Sequence, residues 1–419
     1  MPPQIAVVGG GLAGLTAATL LAREGAAVTL FERAPQPGGR AASTLAHGFS
    51  LNFGAHALYL GGPGARLLRR LGVELPGGPP PKAPLALRGG ELVPLPAGFG
   101  SLLSTPLLGW GGKWELSRTL SALLWRRAAA HDGESLAGFL AALPVQGEVR
   151  ALLAAIFRLS TYAADAERLS AGAAIRQLQI ATRGNLRYLD GGWQALVDRL
   201  AAKAEAAGVR LVAGCRVEAV EHEGRVRALR LADGTRLPFD AAVIATGPAA
   251  AAALLGGARW PAPTPVHAAC LDLGLARLPE PSRLFALGID APLYVGVHAS
   301  ARLAPEGGAV VHVARYLLGE EQGDEAGLEL ALDRLQPGWR DHVVERRFLP
   351  RIVVSHGLPL AAQGGAAGRP AGEVAGIENL RLAGDWVGPE GMLSDASFSS
   401  AAAAAAALAG SLARERRAS

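Results

Sequence analysis

The feature that most constrains this chain is a glycine-rich turn directly after its first apolar stretch. Residues 5–8 form a short, largely β-branched run, and the sequence GGGLAG follows at residues 9–14. A buried strand, a GxGxxG turn and a helix in this order predict a dinucleotide-binding unit. Gly9 would make the tight turn, Gly11 would let the backbone approach a pyrophosphate, and Gly14 would let helix and strand pack closely.

An acidic residue after a second apolar run completes this pattern. Leu12 and Ala13 begin the predicted helix, whose N–H groups and positive end favour phosphate. The run at residues 27–31 is followed by Glu32, at the spacing where a carboxylate meets the ribose hydroxyls of an adenosine. An acid there disfavours a 2′-phosphate, so the unit predicts FAD or NAD rather than NADP. The alternative, a glycine-rich turn without a ligand, does not explain the complete order of elements.

Composition excludes several other classes of protein. The chain of 419 residues is 50% hydrophobic and 18% charged, which is too apolar for disorder and allows about two to three domains. The net charge of +5 comes almost entirely from dispersed arginines, so nucleic-acid binding is not expected. Cys215 and Cys270 form no CxxC pair, and no HExxH motif or carboxylate cluster indicates a metal.

The sequence predicts a cytoplasmic protein, since no secretory signal precedes the first strand. No uninterrupted apolar stretch is long enough to predict a spanning helix. One segment points to peripheral membrane contact. Trp110, Trp114 and Trp125 alternate with leucines and are followed by Arg126 and Arg127, as in an interfacial helix with basic residues at the headgroups. An ordinary core-facing helix explains the same pattern.

Two further segments carry a resemblance to a known family. Residues 33–40, with the sequence RAPQPGGR, are followed by Ser43 and by NFGAH at residues 52–56. Together they resemble the segment after the second strand in FAD-dependent amine oxidases, protoporphyrinogen oxidases and carotenoid desaturases. NAD dehydrogenases lack this segment, so the resemblance implies FAD.

A third segment that resembles the family lies near the end of the sequence. NLRLAGD at residues 379–385 resembles the family's C-terminal strand, and residues 391–404 resemble its last helix. A helix N-terminus near the flavin would favour the negative charge of the reduced ring. The family has glycine where this chain has Ser400. The residues that the resemblance places at FAD are Arg33, Gly38, Gly39, Arg40, Gly54, Ala55, His56, Val217, Gly247, Gly384, Asp385, Gly391 and Met392.

The fold that this resemblance implies is α/β, with a Rossmann-type FAD-binding domain like those of glutathione reductase and GDI. That domain is discontinuous and is built from residues 1–75, 188–258 and 372–419. Residues 76–187 and 259–371 would form an inserted substrate domain, an antiparallel sheet with helices that covers the flavin. Its predicted strands are residues 266–275, 284–289, 293–298, 309–317 and 351–355.

The chemistry of such a chain is hydride removal from an organic substrate, because flavin accepts hydride at N5. The chain has no second GxGxxG, so reduction of the flavin by NAD(P)H is not expected. The electrons are expected to come from the organic substrate and to leave to oxygen or a quinone. His56 is the candidate catalytic residue, with an orienting role as the alternative. His267, His298, His312 and His356 lie on or beside predicted strands, and their spacing does not show which of them face the substrate.

The substrate class is predicted from the scarcity of lysine in the second half of the chain and of aromatic residues in its final segment. No lysine follows Lys203, and Phe398 is the only aromatic residue between 388 and 400, whereas amine oxidases that resemble this chain carry a lysine and aromatics near the flavin. An apolar substrate, such as a polyisoprenoid or a tetrapyrrole, is therefore favoured, in an enzyme that resembles the carotenoid desaturases. A protoporphyrinogen-oxidase-like or amine-oxidase-like enzyme and a GDI-like escort protein without catalysis remain alternatives.

Overall fold

The computed structural model describes residues 1–418. The strands are β1 Gln4–Val8, β2 Ala27–Phe31, β3 Ser43–Ala46, β4 Phe49–Asn52, β5 Leu58–Tyr59, β6 Gly77–Gly78, β7 Leu85–Arg88, β8 Glu91–Pro94, β9 Leu186–Leu189, β10 Arg210–Val212, β11 Val217–His222, β12 Val226–Leu231, β13 Arg236–Pro238, β14 Ala241–Ile244, β15 Val266–Leu275, β16 Phe285–Gly288, β17 Leu293–Val297, β18 Ala309–Leu317, β19 Val343–Ser355, β20 Glu373–Val374 and β21 Ile377–Leu382. The α-helices are α1 Leu12–Arg23, α2 Pro63–Arg70, α3 Phe99–Ser104, α4 Trp110–Trp125, α5 Leu136–Ala142, α6 Gly147–Thr161, α7 Ala171–Gly184, α8 Gly192–Ala206, α9 Pro248–Leu254, α10 Glu325–Leu335 and α11 Leu393–Ala418.

A six-stranded sheet in the order β10-β2-β1-β14-β21-β20 carries the predicted dinucleotide unit. Its pairs are parallel apart from β20 with β21. Side chains of β1 alternate between the two faces. Ile5 and Val7 pack with apolar residues of α1, α8 and α11, and Ala6 and Val8 pack towards the small sheet β11-β12-β13. Both faces are therefore buried, as a parallel sheet requires.

A second sheet lies in the inserted segments, in the order β19-β15-β18-β17-β16-β7-β8. One face packs on α10, and the other packs on the helical layer α4–α7. The sequence predicted this sheet from five strands, two of which, β15 and β18, have the bounds observed. It missed β7, β8 and α10, and β19 starts eight residues before the predicted Arg351. The pair β16 with β7 is parallel, unlike the rest.

Candidate functional site

The turn after β1 leaves no room for side chains at two of the predicted glycines. A Cβ at Gly14 would lie 1.8 Å from the carbonyl oxygen of Gly9, so α1 passes the turn at a distance that only glycine allows. Gly9 has a φ of +108°, and a Cβ there would lie 2.7 Å from the carbonyl oxygen of Ala245. The local fold therefore depends on these glycines whether or not a ligand is bound.

Gly11 differs, because the space in front of it is open. A Cβ on Gly11 would meet the Gly38 carbonyl oxygen at 3.8 Å, and one on Gly39 would meet only the Gly11 backbone, at 3.9 Å. Gly11 is also the N-cap of α1, and within the described chain no side chain caps this helix. The N–H groups of Leu12 and Ala13 thus face a gap between two glycine loops. Uncapped N–H groups at a helix start suit a pyrophosphate.

Glu32 lies beside this gap and is held in place by the backbone. Its carboxylate accepts hydrogen bonds from the N–H groups of Gly10 (2.7 Å) and Ala34 (2.8 Å), and the side chain is buried. The N–H of Cys215 donates to the carbonyl oxygen of Glu32 (2.8 Å), which brings the loop before Val217 against it. The structure therefore brings Glu32, the predicted ribose contact, close to Val217, which the resemblance places at FAD.

Arg40 and Asp385 form an ion pair that joins the two ends of the chain. The guanidinium donates two hydrogen bonds to the carboxylate (2.7 and 2.8 Å), and the N–H of His356 donates a third (2.9 Å). Burial would raise the pKa of Asp385, but Arg40 and His356 hold it far below its ordinary value. A fixed anion and a half-exposed arginine thus lie where the resemblance implies ribityl and phosphate contacts. Arg33 is exposed.

Arg369 steadies this region, although no sequence motif marks it. Its buried guanidinium donates to the carbonyl oxygens of Asp385 (3.0 Å), Gly391 (2.9 Å) and Glu390 (3.2 Å). Burial lowers the pKa of Arg369 to about 10, so it stays charged at neutral pH. It connects the loop after β21 to the start of α11. Sequence reasoning missed it because the acceptors of its guanidinium are all backbone carbonyl oxygens.

The segment from Gly54 to His56 turns inward below the inserted sheet. Gly54 has a φ of +79°, and a Cβ there would lie 2.7 Å from the Cys270 sulfur. The Nδ1 of His56 lies 3.0 Å from the Gly54 carbonyl oxygen and must donate to it, since a carbonyl only accepts. Burial lowers the pKa of His56. Its imidazole is therefore neutral near pH 7, with Nε2 as an acceptor.

Asp272 lies behind this segment in a buried polar network. His312 Nδ1 lies 2.6 Å from one carboxylate oxygen, and Arg347 donates to the other (2.8 Å). The Gly54 N–H also donates to Asp272 (3.3 Å). Burial raises the pKa of Asp272, but His312 and Arg347 together lower it below its ordinary value. The ring of His298 lies 4.6 Å from that of His312, so two of the four unassigned histidines belong to this network.

In the C-terminal motif, Ser400, which departs from the family pattern, connects α11 to the loop after β21. The Ser400 hydroxyl accepts from the Gly384 N–H (2.9 Å) and lies 2.9 Å from the Gly384 carbonyl oxygen. Close packing between α11 and this loop is therefore kept, with a hydrogen bond added. Gly391 has a φ of +77°, a backbone conformation that favours glycine. A Cβ on Gly247 would lie 2.9 Å from the His356 ring, so a larger residue would not fit there.

A cavity of about 240 Å³ opens beside Gly391 and Met392. The polar side chains that line it are Arg66, Arg176, Gln177, Gln179, Arg183 and Glu390. A larger cavity of about 370 Å³ lies near Arg277 and Val310, away from the predicted cofactor residues. Of these two cavities, the smaller lies nearer the predicted site.

The buried amide of Gln177 makes no hydrogen bond through either its nitrogen or its oxygen. Its polar neighbour, the Tyr59 hydroxyl, donates instead to the Ser160 carbonyl oxygen (2.9 Å). Both amide atoms have almost no solvent-accessible surface, so Gln177 belongs to the buried edge of the cavity wall.

FAD fits the residues present. The open gap at Gly11 would hold the pyrophosphate. The carboxylate of Glu32 would contact the ribose. The charged groups of Arg40 and Asp385 would supply further polar contacts. Within residues 1–418, no group of three His, Cys, Asp or Glu side chains is arranged to hold a metal ion. No helix among these residues is both long and apolar enough to cross a membrane.

Comparison with known proteins then assigns the chain. The family model of flavin-containing amine oxidoreductases matches residues 12–273, more than half of its length. The chain belongs to this family. The predicted cofactor FAD, the predicted superfamily and the class of FAD-dependent oxidoreductase are thereby confirmed, and the escort alternative is set aside. The family name does not fix the substrate.

Individual relatives of this flavin-containing amine oxidoreductase carry different names. The coproporphyrinogen III oxidase of Propionibacterium freudenreichii is 29% identical over 316 residues, covering 60% of this chain and 58% of that protein. A carotenoid phi-ring synthase of Streptomyces griseus is 66% identical over 38 residues, which are 9% of this chain and 7% of that protein. The chain therefore spans less than two thirds of the curated relatives that it matches.

The predicted fold is confirmed by a solved structure. An oxidoreductase from Methanosarcina mazei superposes with a TM-score of 0.76 at 21% identity, covering 96% of this chain and 99% of that one. This likeness shows the fold alone. The assignments of single residues to FAD, the domain boundaries and the role of His56 stay predictions.

Proposed function

We propose that this flavin-containing amine oxidoreductase oxidises a porphyrinogen, a reduced tetrapyrrole that carries carboxylate side chains. The observation that carries the proposal is the position of Arg66, Arg176 and Arg183 around one cavity bordered by Gly391 and Met392. These arginines match carboxylates on an otherwise apolar macrocycle. A hydrocarbon substrate has no charged groups that could pair with these arginines.

The arginines keep donors available for a ligand. Arg66 donates to the Gly61 carbonyl oxygen (2.8 Å) and Arg183 donates to a carbonyl oxygen at the end of α4 (2.9 Å). Arg176 pairs with Asp132 (2.5 Å). A guanidinium has five N–H donors, so each retains some. Glu390 on the same wall offsets part of the positive charge.

The remaining wall suits the macrocycle itself. Ala173, Ile180 and Met392 line the same cavity and give it an apolar part beside the arginines. A ligand that is apolar at its centre and anionic at its rim would satisfy both halves of this lining.

The chemistry follows from the cofactor and from what the chain holds beside it. FAD, when bound, supplies a hydride acceptor. The protein would orient a bridging carbon of the substrate, exclude water and leave the pyrrole proton to an acceptor. The neutral imidazole of His56 offers Nε2 for that proton, since Nδ1 is committed to Gly54. Oxygen or a quinone is proposed as the final electron acceptor, because the sequence encodes one dinucleotide site.

The name of the curated relative with 29% identity supports the same substrate class. The polyene favoured by sequence alone remains an untested prediction. It rested on the scarcity of lysine and aromatics, which a porphyrinogen site would also explain. The polyene-linked relative matches only a short segment.

Steady-state oxidation of a porphyrinogen with free carboxylates, compared with its methyl ester, tests the proposal. Arg183→Gln should raise the KM for the free acid on the order of 10-fold, as loss of a charge-assisted hydrogen bond predicts, and should leave the KM for the ester unchanged. The matched control is Arg230→Gln, which replaces an exposed arginine on β12. Equal KM values for acid and ester in the wild type would contradict the proposal.

A further inference from the structure

Five of the large hydrophobic side chains that are exposed in this structure lie in one short segment, residues 99–125. Phe99 is 80% exposed, Trp110 75%, Trp114 72% and Trp125 87%, and Leu103 is also exposed. The tryptophans at 193, 339 and 386 are buried. Tryptophan usually buries its large apolar ring, so three exposed indoles on one helix need a separate explanation.

The three indoles lie on the same side of α4. At about 100° per residue, Trp114 lies about 40° around the helix axis from Trp110. Trp125 lies about four turns after Trp110 and about 60° around the axis from it. The opposite side carries the buried residues Gly112, Leu116, Thr119 and Leu123. The helix therefore packs its aliphatic face on the molecule and presents its indoles outward.

Basic side chains surround these rings. The segment 99–127 contains Lys113, Arg118, Arg126 and Arg127 and a single acidic residue, Glu115. Glu115 accepts a hydrogen bond from the N–H of Gln146, just before α6 (2.8 Å), and is turned away from the indoles. Exposed indoles rimmed by positive charge match an anionic lipid surface, where tryptophan sits at headgroup level and arginine or lysine contacts phosphate.

We propose that this face, formed by Phe99, Trp110, Trp114 and Trp125, binds the surface of a membrane that contains anionic phospholipids. A protein partner would more commonly require a shaped pocket for each ring. In this arrangement α4 would lie in the plane of the membrane surface.

The proposed contact lies next to the wall of the arginine-lined cavity. On α7, Gln179 donates to the carbonyl oxygens of Leu123 and Arg126 (both 2.9 Å), and Arg183 donates to that of Leu124 (2.9 Å). The same helix contributes Arg176 and Gln177 to the cavity. A lipid-dissolved substrate or quinone would therefore meet the protein beside its cavity, although lipid binding itself does not depend on the proposed reaction.

Co-sedimentation of the FAD-bound full chain with lipid vesicles tests this proposal. Wild-type protein should bind vesicles of phosphatidylglycerol and phosphatidylcholine, with a blue shift of tryptophan fluorescence. The variant W110S/W114S/W125S should bind on the order of 100-fold more weakly, because the buried apolar area is lost. Arg126→Gln with Arg127→Gln should weaken binding on the order of 10-fold and reduce its salt dependence.

The matched control is Leu45→Ser with Leu318→Ser, which removes exposed apolar side chains from other surfaces and should bind like wild type. All variants should keep their FAD and their melting temperature, since the replaced side chains are exposed. Equal vesicle binding by the triple variant and wild type would overturn the proposal. So would a concentration-dependent dimer in light scattering that the triple variant abolishes without any lipid binding, because the face would then belong to a second copy.

Discussion

Replacing Asp395 by asparagine should stabilise the protein above neutral pH and much less below it. Asp395 lies in the first turn of α11 and is 1% exposed. One carboxylate oxygen accepts the Gly64 N–H (2.8 Å), and the other has no hydrogen-bond partner in the described residues. Burial raises the pKa of Asp395 from 3.8 to about 7, with Glu390 acting in the same direction and Arg66 against it.

The magnitude follows from that difference in pKa. The folded state binds this proton more tightly than the unfolded state, so the related stability is fully present below pH 3.8 and is lost as pH rises through about 7. At roughly 1.4 kcal/mol per pKa unit, ionisation costs up to about 4 kcal/mol above pH 7 and about half of that at pH 5. An asparagine side chain at this position cannot ionise and keeps an oxygen for the Gly64 N–H.

Urea unfolding of the wild type and Asp395→Asn at pH 5 and pH 8 measures the effect. The gain in unfolding free energy should be larger at pH 8 than at pH 5 by about 2 to 3 kcal/mol. Glu306→Gln, which neutralises an exposed carboxylate, should show no such difference. An equal gain at both pH values would refute the account of Asp395.

Three further predictions concern the cofactor. Gly11→Val should abolish FAD binding, because its side chain would fill the open gap in front of α1, whereas Gly98→Ala, where no atom lies within 4 Å of the added Cβ, should retain FAD by absorbance. NADH and NADPH should reduce the flavin slowly or not at all, and rapid anaerobic bleaching by either would show that a second dinucleotide site was overlooked. His56→Ala should slow flavin reduction on the order of 10²- to 10⁴-fold with FAD retained, because it removes the proposed proton acceptor, and an only modest loss would leave the imidazole an orienting role.

The cofactor fold could be predicted because its signals are local. Strand β2 has the bounds, and helix α1 the start, that the sequence indicates, since apolar periodicity and glycine placement act within a few residues. The first part of β19 was missed because Glu345, Arg346 and Arg347 read as a polar loop, yet they pair with β15 across several bulges. Strands β7 and β8 were missed because they follow a stretch rich in proline and glycine.

The contacts within the site could be predicted less well, because they join residues far apart in the chain. Arg40 and Asp385 were each expected at FAD, but their mutual ion pair spans 345 positions. Arg369 binds only backbone atoms, and the pairing of Asp272 with His312 depends on the register of β15 with β18. Whether the indoles of α4 face the core or the solvent depended on which side of the helix the rest of the molecule covers.

The central claim is that the bound flavin takes hydride from a porphyrinogen. Anaerobic mixing of the FAD-bound protein with coproporphyrinogen, a polyene and a primary amine, each in a single-turnover experiment, tests it most directly. The porphyrinogen should bleach the flavin as one hydride and one proton leave the macrocycle, with porphyrin absorption appearing only after oxygen is admitted and further turnovers follow, and the polyene and the amine should leave the flavin oxidised. Bleaching by the polyene or the amine, with the flavin unchanged by the porphyrinogen, would contradict it.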